Sequence, residues 1–362
     1  MQKISYLLKN SFKKTIQFFF KLIYGTINSD QKKISKKNIF IKEVSSLKKK
    51  NNTNYKVCKI VNGRAYTDFV ENLAVIENQT ALENFSYQTI GGEFRHVSEN
   101  SCIKKGTPRI KKKINGSVLS LTQGVSGHSN YFHWLFDILP KIKIFSEAFD
   151  LSNLDYFYLD ELKPYQKKTL SILGMEKIKV ISSKKYRHIQ ANELFATEHP
   201  WYFKGFILEQ ANYFPNWIID WIYNSFNKHE KKVDVGEKIF IDRSETKSKQ
   251  CQFLNDEEIS EFLKKKGFKK CKIGSFTFEE QIYIFKKAKI IFGAHGAALS
   301  NLVFCEKGAR VIEIKPINHP NSQYKLLSEH KKLNYDLIET EELKNKNKGD
   351  IHLDIKTLEN YL

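Results

Sequence analysis

Apolar residues in the first 25 positions recur at helical spacing: Ile4, Leu7, Leu8, Phe12, Ile16, Phe19, Phe20 and Ile23. Lys3, Lys9, Lys13, Lys14 and Lys21 interleave with them. That pattern predicts a basic amphipathic helix over residues 1–25. A helix on a membrane surface and a helix docked on the chain's own core both fit, since amphipathicity alone does not separate them. A secretory leader fits less well, because lysines interrupt the apolar region and no small-residue cleavage site follows. No apolar run is long enough to span a bilayer. Residues 28–54 are rich in Lys, Ser and Asn and read as a linker, so 1–54 is set apart as helix and linker.

From Tyr55 to Gln123 the pattern is one of short strands and turns, including Ser117–Leu121, and from Ser129 it turns helical. Leu154–Leu159 and Lys177–Ile181 read as strands, and Leu162–Leu173 between them as a helix closed by Gly174, which makes a β-α-β unit. Phe214–Phe226 is an aromatic-rich helix read as the connector between domains. Beyond it the alternation is clearer. Lys238–Ile241 is a strand, and Asn255–Lys266 is a helix with Asp256, Glu257 and Glu258 in its first turn and Gly267 at its end. Phe268–Ile273 is a strand, Phe278–Lys287 a helix and Ile290–Phe292 a short buried strand. Gly293–Ala297 is a turn into a helix from about Ala298, and Arg310–Ile314 is the next strand. Such alternation implies an α/β class with a parallel, doubly wound sheet, which binds ligands at the carboxyl ends of its strands. The expected division is 1–54, a first domain 55–213, a second, Rossmann-like domain 214–330 and a tail 331–362.

Composition narrows the function classes. The 362 residues suit two domains, and 41% hydrophobic and 13% aromatic residues suit a folded chain. Five scattered cysteines with no C-x-x-C pair argue against a disulfide framework or a zinc site and suit a reducing compartment. The formal charge of +20 comes almost wholly from lysine spread along the chain, with only six arginines: Arg64, Arg95, Arg109, Arg187, Arg243 and Arg310. A nucleic-acid footprint would concentrate charge on one element, so no nucleic-acid partner is expected from it. The excess still attracts anions such as nucleotide phosphates and acidic lipid surfaces. Against so much lysine, each arginine invites an explanation through its bidentate fork.

Four features carry chemistry. Gly293-Ala294-His295-Gly296-Ala297 joins a strand to a helix start. The glycines can take positive φ and admit a ligand close to the backbone, the helix start offers unpaired N–H groups, and His295 adds a donor. A phosphate or pyrophosphate fits there; a tight turn without a ligand is the plainer alternative. Glu313, late in the next strand, can accept hydrogen bonds from sugar or ribose hydroxyls, or pair with Lys315. Arg243, just past the Lys238–Ile241 strand, can clamp a diphosphate or stand as a solvated loop residue. In the first half, Ser129 or Asn130 caps a helix on which His133 and Asp137 stand four apart on one face. That pair suits general-base activation of a hydroxyl, or is a structural hydrogen bond. There is no Asp-x-Asp motif to hold a metal-bridged diphosphate, and Gly124-Val125-Ser126-Gly127 is not a G-x-S-x-G nucleophile turn.

At these residues the chain resembles glycosyltransferase family 61, which includes bacterial capsular polysaccharide enzymes. The resemblance lies in Asn130–Pro140, in Glu280-Gln281 through Gly293–Phe304 to Val311-Ile312-Glu313, and in Asp242-Arg243 with Leu254–Glu257 between them. It covers roughly residues 116–316. It implies two facing Rossmann-like domains (the GT-B arrangement), inversion at the anomeric carbon and no required metal or other cofactor. The family usually carries a second basic residue shortly before the Leu-Asn pair; here Cys251-Gln252-Phe253 stands there, and Lys249 is the nearest substitute.

The expectation is a metal-independent, inverting glycosyltransferase at the cytoplasmic face of the membrane. It moves a sugar from a nucleotide-sugar donor to a surface or capsular glycan, free or lipid-linked. Asp137 is the expected base, with His133 orienting or replacing it. Arg243, Lys249, Gly293, His295, Gly296, Ala297, Asn301 and Glu313 are the expected donor-binding residues. Two rivals are an inactive sugar-nucleotide-binding protein and, on charge alone, a nucleic-acid-binding protein.

Overall fold

The computed structural model of the protein describes residues 2–68, 72–122, 130–202, 205–244, 250–341 and 349–362. By its contacts the chain divides into two compact units: Met1–Leu162 with Glu176–Gln210, and Lys163–Met175 with Ala211–Leu362.

The first unit begins with helix α1, Gln2–Tyr24. On it Leu8, Phe12, Phe19, Leu22 and Ile23 are exposed, whereas Ile16 and Phe20 are half-buried. The helix's last turn is fastened. The Tyr24 ring stands edge-on to His188 at 5.0 Å, its hydroxyl accepts from the Lys111 amide at 3.1 Å, and Lys21 Nζ donates to Lys104 O at 2.8 Å.

The strands of this unit are β1 Ile39–Lys48, β2 Asn54–Val61, β3 Arg64–Tyr66, β4 Asn72–Glu77, β5 Thr80–Ala81, β6 Tyr87–Ile90, β7 Glu93–Phe94, β8 Lys112–Ser120, β9 Tyr156–Leu159, β10 Lys179–Ser182, β11 His188–Thr197 and β12 Gly205–Phe206. Thus the stretch read as a linker supplies β1, which pairs with β2. Strands β10, β9, β8 and β11 run parallel side by side, and the remaining pairings in the sheet are antiparallel. This departs from the Rossmann-like first domain that the resemblance implied. The cause is link length: β4 and β5 are joined by Asn78-Gln79 alone and β6 and β7 by Gly91-Gly92 alone, whereas a parallel pair needs a crossover of about a dozen residues or more. Asn78 takes φ 51° in the first of these links, a left-handed conformation that asparagine tolerates. Between β8 and β9 runs helix α2, whose regular pieces Tyr131–His133 and Leu139–Ser146 flank a wide π-turn at Trp134–Ile138. The β9–β10 crossover contains helix α3, Pro164–Ile172, with Pro at its first position and Gly174 at φ 74° after its end. By contacts α3 groups with the second unit.

The second unit holds five parallel strands: β13 Lys238–Ile241, β14 Lys269–Cys271, β15 Ile290–Ala294, β16 Arg310–Pro316 and β17 Asn334–Thr340. Their spatial order is β14-β13-β15-β16-β17. Strand β17 comes from the stretch read as a tail. Helices α4 Asn216–Phe226, α5 Asp256–Lys265 and α6 Phe278–Lys287 accompany them. The acidic first turn of α5 is as the sequence predicts, and α6 opens on a capping box between Thr277 and Glu280. Where an α-helix from Ala298 was expected, a 3₁₀ helix spans Ala297–Phe304. Phe240, Phe292, Ile312, Ile314 and Ile338 form the apolar floor under the strands' carboxyl ends, joined by Ile351, Leu353 and Leu358. Because β14 lies to one side of β13 and β15 to the other, the chain reverses its winding between β13 and β15. In open α/β sheets that switch point is where ligands bind.

Candidate functional site

At the switch point of the second unit, Arg243 leaves β13 and His295 leaves β15. Arg243 Nη2 donates to Gln250 O at 2.8 Å, which holds the guanidinium back across the turn after β15. Gly296 has φ 169°, extended backbone open to any residue. It is glycine for another reason: a Cβ there would overlap the Arg243 guanidinium. Gly293 is likewise not in a positive-φ conformation; a Cβ on it would lie 2.9 Å from Ile241 Cβ on the neighbouring strand. The positive φ expected of both glycines gives way to close approach as the cause.

His295 is fixed from three strands. Its amide donates to Ile314 O at 2.8 Å, and its Nδ1 lies 2.5 Å from Glu313 Oε1. The other carboxylate oxygen, Oε2, accepts from the Tyr335 hydroxyl at 2.5 Å. Glu313 is 1% exposed and both its oxygens are committed. It therefore lies beneath His295 rather than open to a ribose, and Lys315 donates to Asn321 O instead of pairing with it. Because a carboxylate only accepts, His295 Nδ1 is the protonated nitrogen and Nε2 is left for a ligand. His319 and Tyr324 flank the ring at 4.1 and 5.1 Å between centroids. Asn301 is wholly buried, and its Nδ2 donates to Gln281 Oε1 and Ala298 O, both at 3.1 Å. It ties the 3₁₀ helix to α6. Ala297 opens that helix, where first-turn N–H groups lack partners within the helix. Lys249 lies outside the described residues.

In the first unit the local sequence builds a second constellation. Asn130 Oδ1 caps α2, accepting from Phe132 N at 2.9 Å; Ser129, the other candidate cap, lies outside the described residues. Pro140 has no N–H, so the carbonyl of Phe136, four residues before it, loses its helical donor. The helix widens there into the π-turn, a defect often found at functional positions. Trp201, just beyond β11, supplies the missing donor: its Nε1 lies 3.1 Å from Phe136 O and 2.9 Å from Asp137 Oδ1. Asp137 Oδ2 accepts from His133 Nδ1 at 2.6 Å. The Asp137 side chain is fully buried, whereas that of His133 is 23% exposed.

Two more titratable groups surround this carboxylate. His199 Nδ1 accepts from the amides of Trp201 at 3.2 Å and Tyr202 at 2.9 Å, which places its proton on Nε2, 3.9 Å from Asp137 Oδ2. Burial, with Lys141 and His133 adding to it, holds His199 well below the usual imidazole range, so it stays neutral. Lys141, one turn beyond Asp137, is buried; desolvation pulls its ammonium down to about 7, against the opposing pull of Asp137. Its Nζ is 3.5 Å from Thr122 O and 5.3 Å from the Tyr87 ring centroid.

The structure thus joins His133 with Asp137, and Arg243 with His295, Gly296 and Glu313. Sequence reasoning missed Trp201, His199, Lys141 and Tyr335. A signal for the first two was present in His199-Pro200-Trp201-Tyr202, a dense aromatic run after a strand. Chemically, the first constellation is an imidazole backed by a carboxylate, suited to taking a proton. The second, a guanidinium beside an imidazole at a strand edge, is suited to an anion. No curated protein matches the chain. The sequence model of the family described as Glycosyltransferase 61 matches residues 131–312, half of the chain, from the first residue of α2 into β16. With both constellations wholly or largely inside the matched stretch, the chain belongs to glycosyltransferase family 61.

Proposed function

We propose that this glycosyltransferase takes its sugar from a nucleoside diphosphate donor held by the second unit, and activates the acceptor hydroxyl with His133 in the first. The observation that carries the reading is the His133–Asp137 dyad, a partly exposed imidazole fixed by a wholly buried carboxylate. Asp137 cannot meet a substrate from that position. Of the two assignments that the sequence left open, the second is the one proposed: His133 replaces Asp137 as the base and takes the acceptor's proton on Nε2, and Asp137 holds the ring and the charge that forms. The acceptor oxygen then attacks the anomeric carbon opposite the diphosphate, with inversion. At the leaving group, Arg243, His295 and the N–H groups opening the 3₁₀ helix meet the developing charge in place of a metal ion. In this reading the acceptor is a surface or capsular glycan assembled at the cytoplasmic face of the membrane.

The test has two stages. A thermal-shift screen of nucleotide diphosphate sugars identifies the donor, since a ligand at about 100 times its Kd adds about 2.7 kcal/mol of stability. Transfer with that donor should then fall about 10²–10⁴-fold in His133→Ala, with donor affinity unchanged. Full transfer activity in both His133→Ala and Asp137→Asn would overturn the assignment.

A further inference from the structure

We infer that α1 lies flat on an anionic lipid surface and fixes the first unit to it, a property separate from the transfer reaction. Its apolar stripe is uncovered: Phe12 is 67%, Phe19 58% and Leu22 70% exposed, and Leu8 and Ile23 stand beside them. At 100° per residue these five side chains fall within an arc of about 100°. Tyr24, Lys21 and the ring of Phe20 stacked on Tyr24 lie on the other side, where the helix is fastened to the body. The fastening therefore leaves the stripe facing outward.

Charge selects the occupant. The helix carries Lys3, Lys9, Lys13, Lys14 and Lys21, and no acidic residue precedes Asp30. A second copy of the chain would set five lysines against five. An anionic bilayer instead receives the stripe in its acyl boundary and the lysines among its headgroups. The helix is not long and apolar enough to cross the membrane, which leaves the in-plane position. Because its last turn is bonded to Lys104 and Lys111 and packed against His188, the contact orients the unit rather than merely tethering it.

The test is flotation of the whole protein with vesicles of phosphatidylcholine alone or mixed with phosphatidylglycerol. Binding is expected on the mixed vesicles, weakening as salt rises. Each of Lys9→Gln and Lys13→Gln should cost about fivefold in partitioning. The double variant Phe12→Ser, Phe19→Ser should lose roughly tenfold or more, while its thermal melting stays that of the parent. Lys13→Gln, which keeps the stripe, guards against a helix that simply fails to form. The inference is overturned if the Phe variants float like the parent or if no vesicle binds. It is equally overturned if light scattering finds a dimer that the Phe variants dissolve, since the stripe would then join two copies.

Discussion

Two parts of this molecule carry the same three-part device. In the first unit, an imidazole Nδ1 bonds a buried carboxylate whose other oxygen accepts from an aromatic donor: His133, Asp137 and Trp201. In the second, the trio is His295, Glu313 and Tyr335. The assembly differs. The first pair stands four residues apart on one helix and needs a π-turn and a distant tryptophan to seat it. The second spans three adjacent parallel strands, and the sheet register brings it together with no local distortion. The surroundings differ too. Asp137 sits among buried groups that disfavour charge, the neutral His199 and the depressed Lys141. His295 stands beside Arg243's guanidinium, seated on Gly296. One arrangement suits moving a proton; the other suits holding an anion. A carboxylate–imidazole pair is thus a positioning unit whose use is set by its neighbours.

The largest expected effect tests the buried lysine that only the first pair has. Lys141 holds its proton up to about pH 7 when folded, against 10.5 for an ordinary lysine. Between those values the unfolded chain carries a proton that the folded chain has shed. Stability should therefore climb as pH rises from about 7 toward 10.5, by on the order of 4 kcal/mol. Denaturant unfolding at pH 7 and pH 10 measures it, and in Lys141→Met the climb should vanish. If wild type and variant share one slope, the two surroundings are not as different as drawn.

Next in size is His295→Ala. Losing a charge-assisted contact should weaken donor binding by roughly 2 kcal/mol, about 30-fold in Kd by calorimetry. In the same experiment His133→Ala should leave Kd where it was; equal losses would merge the two roles. The smallest effects come from the aromatic donors. Trp201→Phe should lower kcat about tenfold with little change in donor affinity. Tyr335→Phe should raise donor Kd by a few-fold, on the order of 1 kcal/mol, and spare kcat at saturation. A reversed pattern would exchange the functions of the trios.

Much of the second unit was legible because its information is local. The acidic start of α5, the capping residues of α6 and the apolar run into Gly293 each act within a few positions. Strand β17 was not, because Asn334–Thr340 becomes a strand only by pairing with β16. The antiparallel half of the first unit was readable in principle from the short links at Asn78-Gln79 and Gly91-Gly92, which a Rossmann-like expectation overrode. Of the site, the i,i+4 pair and the glycine turn were visible in the sequence. Which group is exposed was not, because burial of Asp137 and Glu313 depends on residues 64 and 22 positions away, Trp201 and Tyr335.

The bare backbone at position 296 has a consequence far along the chain. Arginine and glycine interlock so closely that a single methyl group at 296 would push the tip of the guanidinium off its seat. A substitution of this glycine is thus felt first by an arginine 53 positions earlier in the chain.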